Sequence, residues 1–177
     1  MTQSTRRGFL KSAAFALTAA TFSRASYGRI LGANERVRVG AICVGGRGAG
    51  DLDAVSSENI VALCDVDSER LGAAAGRHPQ AKTYADYRQL LEQTDLEAVV
   101  VATPDHWHAL ATIWGCQAGK HVYVEKPVSH NVAEGRRMVE AAAKFKRAVQ
   151  TGTQSRSVPH MIEAIAYVQS GKIGKVH

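Results

Sequence analysis

Cysteine is scarce in this sequence. Cys43, Cys64 and Cys116 are an odd count with no C-x-x-C spacing, which excludes a disulfide framework and a structural zinc site. All three sit in apolar surroundings and read as small buried hydrophobes. Acidic residues are missing from the first 25 positions, which carry Arg6, Arg7, Lys11 and Arg24; without these four the formal charge falls from +6 to +2. The body is therefore close to neutral and lacks a basic run interleaved with aromatics, so no nucleic-acid partner is expected. There is no internal repeat, and no low-complexity segment outside the N-terminus. What is present, 45% hydrophobic and 21% charged residues in 177 positions, suits a soluble globular protein with one ordinary core, not a disordered or collagen-like chain.

The N-terminus, "STRRGFLKSAAFALTAATFSRAS", resembles a twin-arginine export signal. Paired arginines precede Phe9, Leu10 and Lys11, a mildly apolar stretch covers Ser12 to Thr21, and small residues end at Ala25. Cleavage is expected after Ala25, with 26–35 as a linker and a periplasmic or otherwise exported product. The alternative is an ordinary amphipathic first helix. The stretch is too short and too weakly apolar for a permanent membrane span.

From residue 36 the chain alternates. "RVRVGAICV", "NIVALCDV", "LEAVVVAT", "HVYVEK" and "RAVQTGT" have the near-continuous apolar form of strands buried on both faces. Between them, "SERLGAAAGRH", "DYRQLLEQ", "HWHALATIWGCQAG" and "VAEGRRMVEAAAKFK" have helical spacing, and "KTYA" adds a short strand. Ser68 and the "AGK" ending at Lys120 supply start and stop signals. Strand-helix alternation implies parallel strands and right-handed crossovers, hence an α/β doubly wound sheet over 36–155. Residues 156–177 read as the start of a second α/β domain, one helix and the beginning of a strand.

The turn "AICVGGRGAG" fits the G-x-G-x-x-G pattern only if Cys43 takes the first glycine position, with Gly45 and Gly48 in the others and Gly46 and Arg47 between. Alone it is no more than a tight turn. Asp65, 20 positions after Gly45 at the end of the second strand, makes it specific, since an acid at that offset meets the ribose hydroxyls of NAD and repels a 2′-phosphate. Asp67 competes for the role but suits a helix cap. NAD is the expected cofactor, with NADP second.

"VATPDHWHALA" and "AGKHVYVEKPVS" resemble the Gfo/Idh/MocA oxidoreductases, the glucose-fructose oxidoreductase and inositol dehydrogenase-like family, from about residue 36 onward. The resemblance implies that Lys126 is catalytic and reaches both nicotinamide and substrate, that Glu125 faces the cofactor, and that Thr103, Pro104 and His108 line it. It also implies a sugar or cyclitol substrate and a homo-oligomer in a longer form that carries the substrate domain. From the residues themselves, both motifs follow apolar strands at the edge where open parallel sheets bind ligands. A lysine beside a cationic ring is suited to proton transfer at neutral pH; a solvated surface lysine is the plain alternative. His106 and His108 form an H-x-H pair without a matching third ligand, so no metal is expected. Asp105 suits a helix cap, and Trp107 packing or a pocket wall. Gln154 and Arg156 are substrate-side candidates, or simply a polar linker. Three functions share these motifs: an exported oxidoreductase moving hydride at a carbinol carbon, an NAD-dependent glycoside hydrolase, and a non-catalytic nucleotide-binding remnant.

Overall fold

A computed structural model describes residues 36–175; the expected export signal, its cleavage point and the whole linker lie outside the described residues. Six strands, β1 (Arg38–Ile42), β2 (Asn59–Cys64), β3 (Lys82–Tyr84), β4 (Ala98–Val101), β5 (His121–Val124) and β6 (Val149–Thr151), form one sheet. Its order is β3-β2-β1-β4-β5-β6, and every pairing is parallel. Helices α1 (Arg47–Ala54), α2 (Ser68–Arg77), α3 (Tyr87–Leu91), α4 (Asp105–Gln117) and α5 (Val132–Phe145) make the crossovers. A 3₁₀ turn (Gln154–Ser157) and helix α6 (Pro159–Gln169) follow.

Alternation along the strands divides the core in two. Ala62, Cys64, Val99, Val101, Val122 and Val124 point to one face and pack on Leu90, Ala109, Cys116 and Met138. Val39, Ala41, Leu63 and Val100 point to the other, against Leu52 of α1 and Ala74 of α2. Burial on both sides is why the strands read as continuous Val, Ile and Ala runs.

Polar residues fix the helix starts. Asp67 caps α2, accepting from the N–H groups of Glu69 (3.0 Å) and Arg70 (3.2 Å), the role expected for it. Asn131 caps α5 by accepting from Glu134 N–H at 3.0 Å and returns a bond from its amide nitrogen to the Glu134 carboxylate at 2.9 Å, a reciprocal box. Asp105 departs from expectation: it is the first helical residue of α4, after Pro104, and accepts from its neighbour His106 instead of capping. Lys120 is buried and donates to the carbonyls of Gln93 (2.7 Å) and Leu96 (2.9 Å), tying the turn before β4 to the start of β5.

The expected strand at the end does not form within the described residues. Helix α6 ends at Gln169 and the chain continues in turns. Among the described residues no strand lies beside it to complete a ladder. Ile162, Ile165 and Val168 are each more than 40% exposed. No helix among the described residues is long and apolar enough to cross a membrane.

Candidate active site

The strand order reverses between β1 and β4, and the loops after the strands gather at that crevice. The turn after β1 shows why glycine is usual in its first position. Cys43 sits at φ 69°, a left-handed conformation that costs a residue with a Cβ about 1–2 kcal/mol. It is held there by its N–H to the Cys64 carbonyl at 2.8 Å. At Gly48 an added Cβ would lie 1.9 Å from the Cys43 carbonyl oxygen, so α1 packs on the turn at a distance only glycine allows. Gly46 precedes α1 without any side-chain cap; Gly48 N–H is taken by the Gly45 carbonyl at 2.9 Å, and a helix start with no side-chain cap suits an anionic pyrophosphate.

Asp65 is buried at the end of β2. Its Oδ2 accepts from Val44 N–H at 2.9 Å and its Oδ1 from Asp67 N–H at 3.0 Å. Each oxygen retains a lone pair for a hydroxyl donor. The Cys43 thiol lies beside it, and burial together with the carboxylate raises its pKa; Cys64, buried between Asp65 and Asp86, is pushed up to about 12. Neither thiol is primed as a nucleophile.

A cleft of about 520 Å³ opens beside Asp65, bounded by Cys43, Val66, Tyr87, Thr103, Pro104 and Trp107. Tyr87 packs edge-on to Trp107 at 6.4 Å and against Trp114 at 5.5 Å, so Trp107 is a wall of this cleft. The buried Thr103 hydroxyl, aligned with Pro104 on the loop after β4, has no hydrogen-bond partner. A free hydroxyl, an uncapped helix N-terminus, a turn a Cβ would fill and a carboxylate at the strand end together fit a dinucleotide.

Three of the expected cofactor contacts are placed differently. His108 is buried with Nδ1 2.6 Å from the Pro127 carbonyl and Nε2 2.8 Å from the Thr103 carbonyl. Both ring nitrogens are occupied, so it braces the loops after β4 and β5 instead of lining the cofactor. Glu125 is 3% exposed and turns inward, accepting from Arg47 Nε at 3.1 Å and from the Lys126 N–H at 3.2 Å. Arg47 contributes its main chain to the turn, but its guanidinium leaves it for Glu125 and Asp51. The Arg47–Glu125 link joins residues 78 positions apart, beyond any local pattern. Buried Asp51, one helical turn after Arg47, was not singled out from the sequence; its i+4 spacing from an arginine was the available signal.

Lys126 is exposed at the end of β5, its ammonium unpartnered among the described residues, and its bond to Pro127 is cis. Gln154 and Arg156 lie in the 3₁₀ turn after β6, bordering a groove of about 580 Å³ with Tyr123 and Thr151. His106 is exposed beside Asp105, away from His108, and among the described residues no three His, Cys, Asp or Glu gather as a metal-ligand set.

The sheet order, the glycine turn and the acid at the β2 end define a dinucleotide-binding domain of the doubly wound class. Residues 37–153 match the family described as an oxidoreductase family with an NAD-binding Rossmann fold, the Gfo/Idh/MocA family, and the chain belongs to it. The family's fold binds NAD. Inositol 2-dehydrogenase of Salmonella typhimurium is 31% identical over 145 residues, covering 78% of this chain and 43% of the relative. A glycosyl hydrolase family 109 protein of Saccharopolyspora erythraea is 35% identical over 157 residues, 81% of this chain and 34% of the relative. Among solved structures, the WlbA dehydrogenase from Chromobacterium violaceum, in complex with NADH and UDP-GlcNAcA, is 28% identical with a TM-score of 0.72, over 81% of this chain and 43% of that one. The chain thus spans less than half the length of these relatives.

Proposed function

We propose that the turn after β1, Asp65 and Thr103 hold NAD along the C-terminal edge of the sheet, and that a protein containing this domain moves hydride to or from a carbinol carbon of a sugar or cyclitol. The observation that carries this reading is the unpartnered Lys126 ammonium on the same edge as the glycine turn and Asp65. Bound NAD supplies the hydride acceptor. As the neutral amine, Lys126 takes the hydroxyl proton and becomes ammonium as the carbinol gives its hydride to NAD, and the ammonium returns that proton on reduction, which requires the substrate oxygen within hydrogen-bond reach of Nζ. Asp65 favours free ribose hydroxyls over a 2′-phosphate. Gln154 and Arg156 contribute on the substrate side. The longer protein is expected to be a homo-oligomer.

Calorimetric titration with NAD tests the reading. The 177-residue chain should bind NAD, and Lys126→Ala should preserve that binding. In a longer chain carrying a substrate domain, the same change should abolish turnover of sugars or cyclitols. Absence of NAD binding by the wild-type chain would sink the proposal; binding without turnover in the longer chain would leave a nucleotide-binding remnant.

The similarity to a family 109 glycosyl hydrolase supports a second reading, transient oxidation that ends in glycoside cleavage. Release of an aryl leaving group without net NAD reduction distinguishes it. We propose also that residues 1–25 direct export by the twin-arginine route. Arg6→Lys with Arg7→Lys should retain the product in the cytoplasm, and normal periplasmic yield from that variant would refute the route.

A further inference from the structure

One cation at this edge is not used by the NAD reading. The Arg47 guanidinium donates through Nε to Glu125 Oε1 (3.1 Å) and through Nη2 to Asp51 Oδ1 (2.7 Å). Both carboxylates are 3% exposed. With the Gln154 amide oriented to satisfy its neighbours, its oxygen accepts from Arg47 Nη2 at 2.7 Å and its nitrogen donates to the Gly152 carbonyl at 2.5 Å. Glu125 Oε1 also accepts from the Tyr123 hydroxyl at 3.4 Å, and Oε2 from the Lys126 N–H at 3.2 Å. Gly152 leaves the room this needs, since a Cβ there would lie 2.6 Å from Glu125 Oε1. One guanidinium therefore ties the loops that follow β1, β5 and β6.

We propose that Arg47 is a positioning residue: through Glu125 it fixes the main chain at Lys126, and so couples the glycine turn to the group that meets the substrate and the nicotinamide. The inference rests on the NAD reading of that turn and of Lys126. The planar fork matters because three acceptors lie around it; an ammonium is a point charge on a flexible stem and cannot hold them in one geometry. Two buried carboxylates sharing one cation leave Asp51 with an unpartnered Oδ2 and, through burial and the charge of Glu125, a raised pKa. Arg47 thus holds together a site that repels itself without it.

NAD and ADP separate this role from direct phosphate binding, because ADP carries the two phosphates but no nicotinamide. The 177-residue chain and its Arg47→Met, Glu125→Gln and double variants are titrated with each nucleotide. Each single change should weaken NAD about tenfold, the double change no further, and ADP should stay within about twofold throughout. Equal weakening of NAD and ADP by Arg47→Met makes Arg47 a phosphate contact and overturns the proposal, as do losses that multiply in the double variant. Arg47→Lys keeps the charge, and with it the fold, and should lose NAD affinity as Arg47→Met does; wild-type affinity for NAD in Arg47→Lys overturns the role of the fork. If the wild-type chain binds neither nucleotide, the cofactor reading fails by itself. Urea unfolding of the same four proteins then decides the clasp: non-additive losses at Arg47 and Glu125 support it, and additive losses overturn it.

Discussion

Replacing Gly48 by alanine adds one methyl group where the structure has no space. The new Cβ would lie 1.9 Å from the Cys43 carbonyl oxygen and 2.9 Å from its carbon, where contacts under 3.0 Å do not occur, so α1 and the turn must part by at least 1.1 Å. Neither side yields easily, because Cys43 is fixed through Cys64 and Val44 through Asp65. Overpacking of this kind costs about 1–3 kcal/mol. Lifting α1 also loosens Leu52, fully buried beneath it, whose complete exposure is worth about 1.5–3 kcal/mol. A loss of roughly 3 kcal/mol is expected for Gly48→Ala. Two residues on, Gly50→Ala places its Cβ 3.9 Å from Arg47 Nη1 and near nothing else, and should gain about 0.8–1 kcal/mol of helix propensity. The same chemical change on one helix thus differs by roughly 4 kcal/mol between neighbouring glycines. Urea unfolding followed by far-ultraviolet circular dichroism measures the difference, and NAD titration shows whether the helix N-terminus has moved. If Gly48→Ala stays within about 0.5 kcal/mol of wild type and binds NAD normally, α1 does not rest on the Cys43 carbonyl and the reasoning fails.

Asp65→Ser should narrow the preference for NAD over NADP by about tenfold or more, while Asp67→Ser, which keeps a capping oxygen, should leave the ratio within about twofold; the reverse pattern in paired titrations makes Asp67 the ribose ligand. Cys64, pushed up to about 12 from an ordinary value of 9.0, keeps its proton in the folded chain after the unfolded chain has lost it. Its stabilisation is complete below pH 9 and drains as pH rises from 9 toward 12. Wild type should therefore lose about 1.4 kcal/mol more than Cys64→Ala between pH 8 and pH 10, and parallel pH profiles in urea unfolding contradict this. Lys120→Met retains the aliphatic stem but leaves the carbonyls of Gln93 and Leu96 without their donor, so a loss of about 2 kcal/mol is expected in thermal or urea unfolding, and a neutral result refutes the bracing role.

Backbone periodicity made the doubly wound parallel sheet legible from five buried runs, a short sixth and intervening helical patterns; the order β3-β2-β1-β4-β5-β6 is what the structure adds. The glycine turn was legible through its partner at Asp65, although Cys43 obscured the pattern. The φ of 69° at Cys43 shows that this turn takes the left-handed shape without the glycine that most readily provides it. The pairing of Arg47 with Glu125 was not legible, because neighbours in sequence suggest nothing about a contact spanning 78 positions. The strand expected at the end reaches beyond the described residues, and within them the chain after α6 runs in turns.

The hydrogen-bond state of each group separates the frame of this site from its working surface. Asp65 spends one lone pair of each oxygen on main-chain N–H groups, His108 gives both ring nitrogens to carbonyls, and Glu125 takes three donors, all while buried. Such groups are costly to move, because each displaced bond leaves a polar atom without water to replace it. They fix the loops after β1, β2, β4 and β5 relative to one another. Thr103 Oγ1 has no partner, the N-terminus of α1 has no cap, and the Lys126 ammonium stands free. These three leave their capacity unspent within a few residues of groups that are fully committed. Asp51 Oδ2 and the Thr112 hydroxyl are buried without a partner as well, so Thr103 is set apart by its place on the cleft beside Asp65 and not by the gap alone. His108 shows why motif position alone does not settle a role: it lies in the motif, but its geometry belongs to the frame. Substituting frame residues should alter affinity and stability together, whereas substituting Thr103 by valine, which removes the hydroxyl but keeps its volume, should weaken NAD binding while leaving urea stability unchanged or slightly raised, since an unpaired buried hydroxyl is lost. A stability loss with unaltered NAD affinity would place Thr103 in the frame and break the distinction.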